Sequence, residues 1–95
     1  MDMVFIYALQ DPSTKHIFYV GRSLRPGLRL NDHISGSGCI PEVRAHIVSI
    51  GTGGAKPQMV ILEEVPLDRG VEREQYWITH LADQGEPLVN KRVPH

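Results

Sequence analysis

Val4-Phe5-Ile6-Tyr7-Ala8-Leu9 and Ile17-Phe18-Tyr19-Val20-Gly21, separated by Asp11-Pro12-Ser13-Thr14-Lys15, decide how this chain folds. Both runs are rich in β-branched and aromatic residues and read as strands. The segment between them carries the residue types that make turns. A turn centred near Ser13 predicts antiparallel partners whose numbers sum to about 26. Tyr7 then lies opposite Tyr19, with both phenols on one face. Alternation puts Val4, Ile6, Ala8, Phe18 and Val20 on the other face. A phenol pair ahead of a glycine suggests a site. The alternative is two strand tyrosines with solvated hydroxyls.

Working outward, Pro26 suits the first turn of a helix reaching Ser35, and Gly36-Ser37-Gly38 breaks it. A second helix is predicted from Pro41 to Ile50, with Gly51 as a left-handed cap. Gln58 to Glu64 reads as a third strand, closed by Pro66. Asp68 is placed as the cap of a long helix to about Gln84, stopped by Gly85. Pro87 to Asn90 runs extended, and Lys91 to His95 is expected to fray. The order β-β-α-α-β-α predicts an α+β fold, a small three-stranded antiparallel sheet flanked by helices. With 95 residues the chain suits one domain, 1–95.

At 41% hydrophobic and 22% charged, the composition is that of an ordinary globular protein. A single cysteine, Cys39, excludes an internal disulfide framework and a cysteine-rich zinc site. No apolar run approaches the roughly 20 residues of a membrane span. The expectation is a cytoplasmic protein without membrane contact. The formal net charge of −1 argues against strong, indiscriminate binding to nucleic acid. Locally, Lys15, Arg22, Arg25 and Arg29 face only Asp32 between residues 15 and 33. Such a cluster could hold a phosphate group, or be a solvated face.

Three positions carry further chemistry. Arg29 and His33 are four apart and share a helix face, at the margin of a buried stripe of Leu30 and Ile34. They could reach a cleft, or simply be exposed. At about 100° per residue, Glu74 falls near the centre of an apolar stripe of Val71, Trp77, Ile78, Leu81 and Ala82. Glu72 points to solvent. A carboxylate so placed costs several kcal/mol unless it is paired, protonated or bound to a cation. A salt bridge to Arg29 or Lys91 is one answer. A magnesium-type ion, completed by water and phosphate oxygens, is the other. Asn90 could tie the tail to the site or cap a turn.

Taken in order, these positions resemble the GIY-YIG nuclease family. Phe5-Ile6-Tyr7 matches the first signature triplet, with Phe5 in place of its glycine, and Tyr19-Val20-Gly21 matches the second. The family's helix arginine falls on Arg29, with His33 one turn later, its metal-binding glutamate on Glu74 and its C-terminal asparagine on Asn90. The resemblance implies a metal-dependent DNA endonuclease with catalytic Tyr7, Tyr19, Arg29, His33, Glu74 and Asn90. It implies one divalent cation, Mg²⁺ or Mn²⁺, on Glu74, and phosphate contacts at Gly21, Arg22 and Arg25. DNA is the implied partner, bound weakly by the domain alone, so a homodimer or a targeting protein is expected to supply specificity. The action is expected in the cytoplasm, at the nucleoid. The alternatives are a non-catalytic nucleic-acid or protein binding module, or the catalytic subunit of a larger nuclease complex.

Overall fold

The computed structural model describes residues 2–36 and 40–90. It contains β1 (Met3–Gln10), β2 (Ile17–Ser23), α1 (Pro26–Ser35), α2 (Pro41–Thr52), β3 (Gln58–Pro66), a single 3₁₀ turn (Leu67–Arg69) and α3 (Gly70–Asp83). This is the β-β-α-α-β-α order expected of a small α+β fold. The sheet order is β2-β1-β3, and both pairings are antiparallel. β1 is central because it alone has no charged residue. Val4, Ile6, Tyr7, Ala8 and Leu9 are all buried, so both of its faces are covered. β2 and β3 carry Arg22, Glu63 and Glu64 and take the edges.

The hairpin register differs from the expectation. Tyr7 pairs with Gly21 and Leu9 with Tyr19, before a bulge that brings Gln10 opposite Ile17. The loop is longer than a turn centred on Ser13. Asp11 N–H donates to His16 C=O and Lys15 N–H to Asp11 C=O, with Lys15 in the left-handed region at φ 64°. The shift is two residues, so Tyr7 and Tyr19 keep a common face as diagonal neighbours. The bulge has a second consequence. Phe18 is the extra residue, and it packs with Tyr7 and Leu9 instead of with Val20.

Two clusters fill the two sides of the sheet. Val4, Ile6, Val20 and Val65 pack against Ile78 and Leu81 of α3. Tyr7, Leu9 and Phe18 pack against Val43, Ile47 and Ile50 of α2, with Leu30 of α1 at the margin. α2 runs past Gly51, contrary to the predicted stop there. The left-handed glycine is Gly54, at φ 80°. α3 starts at Gly70 with no side-chain cap from Asp68, because the 3₁₀ turn intervenes. A Cβ on Gly70 would stand 2.9 Å from Val4 Cγ1. The helix therefore touches the sheet through backbone at this point. Val71 turns outward and is 56% exposed, against the expected buried stripe.

The outer edge of β2 is covered by the tail. Ile17 N–H donates to the Glu86 carboxylate and Val89 N–H to Phe18 C=O. Asn90 closes the line at both ends of its amide. Its Oδ1 accepts from Val20 N–H and its Nδ2 donates to Val20 C=O, each at 2.8 Å. Asn90 thus imitates a strand residue and ties down the segment that carries Tyr19 and Gly21. Asn90→Leu should cost about 1–3 kcal/mol, because it leaves both polar groups of Val20 without this partner. Thermal unfolding and faster amide exchange at Val20 check it; an unchanged Val20 exchange rate would contradict the brace. Lys91 and Arg92, and Lys91 as a partner for Glu74, lie outside the described residues, as does Cys39.

Candidate active site

Tyr7 is the centre of the site. Its side chain is 1% exposed, and its hydroxyl lies 2.7 Å from His33 Nε2. Tyr19 completes a triangle of rings, with centroids 6.3 Å from Tyr7 and 5.4 Å from His33. α1 supplies His33 and Arg29 from one face, as their four-residue spacing requires. His33 is fully buried rather than marginal, with 1% exposure.

The protonation states follow from burial and charge. Burial pushes the Tyr7 phenol well above its ordinary value. Tyr19 adds to that push, Arg29 opposes it by charge and hydrogen bond, and Glu74 reinforces it. Burial and the Arg29 charge push His33 down to about 4, against a smaller upward pull from Asp32. The imidazole is therefore neutral at pH 7. Arginine has no acceptor, so Arg29 can only donate to the phenolic oxygen. In the tautomer with Nε2 unprotonated, the phenolic hydrogen is directed to His33 Nε2.

This arrangement makes stability pH-dependent. His33 titrates near 4 when folded and near 6.5 when unfolded. Between those values the unfolded chain binds the extra proton, so stability is complete above about pH 6.5 and falls as pH drops. By pH 5 the loss should reach about 2 kcal/mol. Melts of wild type and His33→Gln at pH 7 and 5 check this. The wild type should lose more, and equal losses would contradict a neutral, buried His33.

Arg22 and Glu74 lie on the other face of the sheet. Arg22 pairs with Ile6, whose side chain packs under α3. Its Nη1 is 2.6 Å from Glu74 Oε1. The Glu74 side chain is 14% exposed and that of Arg22 is 43% exposed. Burial pushes the Glu74 carboxyl above the ordinary range, and the charge and hydrogen bond of Arg22 oppose it. Glu74 is thus half-buried as its helical position predicts, but its partner is Arg22, not Arg29. Glu72 is exposed and pairs with Arg69. The Glu74 charge still acts on the Tyr7 phenol, as the last and smallest of the influences on it, so the two halves of the site lie within electrostatic reach of each other. They approach from two faces rather than from one.

The remaining sequence candidates are structural or peripheral. Gly21 is buried. A Cβ there would stand 2.5 Å from the Tyr7 hydroxyl oxygen and 2.9 Å from Tyr19 Cε2. Its requirement for glycine comes from the tyrosines lying over it. Arg25 is exposed at the N-cap of α1, held through its backbone N–H to Ser23 Oγ. Tyr19 and Asn90 border an open cavity of about 380 Å³ with Ile40, Pro41 and Glu42. Sequence reasoning missed Glu63, which accepts from Arg73 Nε at 2.8 Å and Trp77 Nε1 at 3.1 Å and anchors α3 to β3. A charged residue in the strand beneath the helix was the available signal.

Among the described residues no group of three or more His, Cys, Asp or Glu side chains stands together. A zinc-type protein cage is not built there. The desolvated carboxylate of Glu74 fits a hard cation that keeps most of its water and takes other oxygens from a phosphate.

A family model, the GIY-YIG catalytic domain, matches residues 3–86. The match spans most of the chain, so the protein belongs to the GIY-YIG family, whose domains are generally nucleases. Searches of curated proteins and of solved structures find no match.

Proposed function

We propose that this GIY-YIG domain is a DNA endonuclease that hydrolyses a phosphodiester bond with one divalent cation, Mg²⁺ or Mn²⁺, held by Glu74. The observation that supports the reading most is the Tyr7–His33 hydrogen bond with Arg29 beside it. A phenol held between an imidazole and a guanidinium is placed where it can pass a proton. Bound at Glu74, the cation supplies charge neutralisation at the phosphate and at the leaving oxygen. The chain's own residues do the rest. Arg29 holds a phosphate oxygen and offsets charge on the Tyr7 oxygen. As water attacks phosphorus, its proton passes to the Tyr7 oxygen and the phenolic proton passes to His33 Nε2. The O–P bond forms as the bond to the 3′ oxygen breaks; the departing oxygen keeps the bonding pair and takes a proton from water, and His33 returns its proton to solvent. Tyr19 walls the relay, and Asn90 holds the strand beneath it. The proposed setting is the cytoplasm, at the nucleoid.

The test is nicking of supercoiled plasmid with Mg²⁺ or Mn²⁺. Wild type should nick only with a divalent ion, and Tyr7→Phe should be slower by roughly 10²-fold or more. The Arg22–Glu74 pair favours a second reading, because it satisfies the carboxylate with no metal at all. Under that reading the domain binds nucleic acid without cutting it. Retained DNA binding with no nicking under either ion would establish the second reading and overturn the first.

A further inference from the structure

Glu74 is already engaged. Arg22 Nη1 sits 2.6 Å from Oε1, at the carboxylate that the proposed function assigns to the cation. A divalent ion bound at about 2.0–2.6 Å from the same carboxylate would face the guanidinium at short range. Two cations cannot share that position without repulsion inside a partly desolvated site. One must yield, and the geometry says which. Glu74 is fixed on α3 and 14% exposed, whereas Arg22 is near the end of β2 and 43% exposed. The arginine can swing outward without disturbing the core.

We infer that Arg22 is an internal counter-ion that keeps Glu74 from holding the cation until a DNA phosphate draws the guanidinium away. A phosphate offers two oxygens in the geometry of the arginine fork, so it is a better partner than one carboxylate oxygen. Cation and DNA binding then favour each other. The free protein holds its carboxylate neutralised, and the complete site assembles only on substrate. Arg22 is in this sense a positioning residue. The inference rests on the reading that Glu74 is the cation ligand.

The experiment measures binding rather than turnover. Free Mn²⁺ is followed by electron paramagnetic resonance during titration of wild type, Arg22→Gln, Arg22→Lys and Glu74→Gln without DNA. Arg22→Gln should bind Mn²⁺ at least about fivefold more tightly than wild type, the lower end of ordinary coupling between sites. Arg22→Lys keeps the counter-charge and should stay near wild type. Glu74→Gln should show no site. Anisotropy of a labelled duplex oligonucleotide then reports the reciprocal effect. Mn²⁺ should tighten DNA binding by wild type, and by Arg22→Gln clearly less. Circular dichroism melts confirm that each variant is folded. If Arg22→Gln binds Mn²⁺ no better than wild type, or keeps the full DNA coupling, the inference fails while the Glu74 site stands. If Glu74→Gln binds Mn²⁺ like wild type, the metal reading itself fails.

Discussion

Glu74→Gln should abolish metal-dependent nicking, a loss of at least about a thousandfold, with little change in thermal stability. The two effects separate because the partner of Glu74 is exposed. Stranding a buried arginine would cost about 3–5 kcal/mol. Arg22 is 43% exposed and can hydrate once the charge opposite it is gone. Exposed pairs contribute only about 0.2–1 kcal/mol. The amide also keeps an oxygen that can accept from Arg22. Burial holds the Glu74 carboxyl above its usual range, so the fold penalises its charge relative to water even with Arg22 beside it. A neutral side chain relieves that penalty and offsets the lost pair. The net change should stay within about 1 kcal/mol, or roughly 4–8 °C in Tm. Glu72→Gln, two residues away at an exposed position, should alter neither property. Plasmid nicking and melts on both variants decide the matter. Wild-type nicking by Glu74→Gln would remove the metal site, and a melt lowered by 15 °C would show that the pair is structural.

That contrast between Glu72 and Glu74 was legible in the sequence because helical periodicity is local. Each residue advances by a fixed angle, so the inward position of Glu74 needs no knowledge of the rest of the fold. Its partner was not legible. Arg22 reaches Glu74 across 52 positions of chain, and only the packing of α3 over the end of β2 brings them together. The hairpin shows the same division. Strand identity and the common face of Tyr7 and Tyr19 follow from a period of two, which survives a slip of two residues. The register does not follow, because the left-handed Lys15 and the Phe18 bulge depend on hydrogen bonds that the residue types permit without demanding. His33 could be placed on a helix face beside Arg29, but its full burial depends on two tyrosines from two other elements, β1 and β2. Val71 failed as a core residue for a related reason. Gly70 lets the helix backbone meet Val4, and this close approach rotates the next side chain into solvent.

Gly21→Ala should be the most damaging single methyl group that can be added to the site. Gly21 has no positive φ, so alanine is acceptable to the backbone there. The objection is steric. The new Cβ would stand 2.5 Å from the Tyr7 hydroxyl oxygen and 2.6 Å from its Cζ. Tyr7 has nowhere to retreat: it is 1% exposed, packed with Leu9 and Val43, and bonded to His33 at 2.7 Å. Either the ring moves or the strand does. Overpacking of this kind costs about 1–3 kcal/mol. A displacement of the phenol by about 1 Å should cost about 10²-fold in cleavage rate. A double-mutant cycle isolates the cause. In a Tyr7→Ala background the ring is gone, so Gly21→Ala should then destabilise much less than it does in the wild type. Urea unfolding of the four proteins measures the coupling. Equal costs in both backgrounds would place the glycine requirement in the strand itself and not in the tyrosine that crosses it.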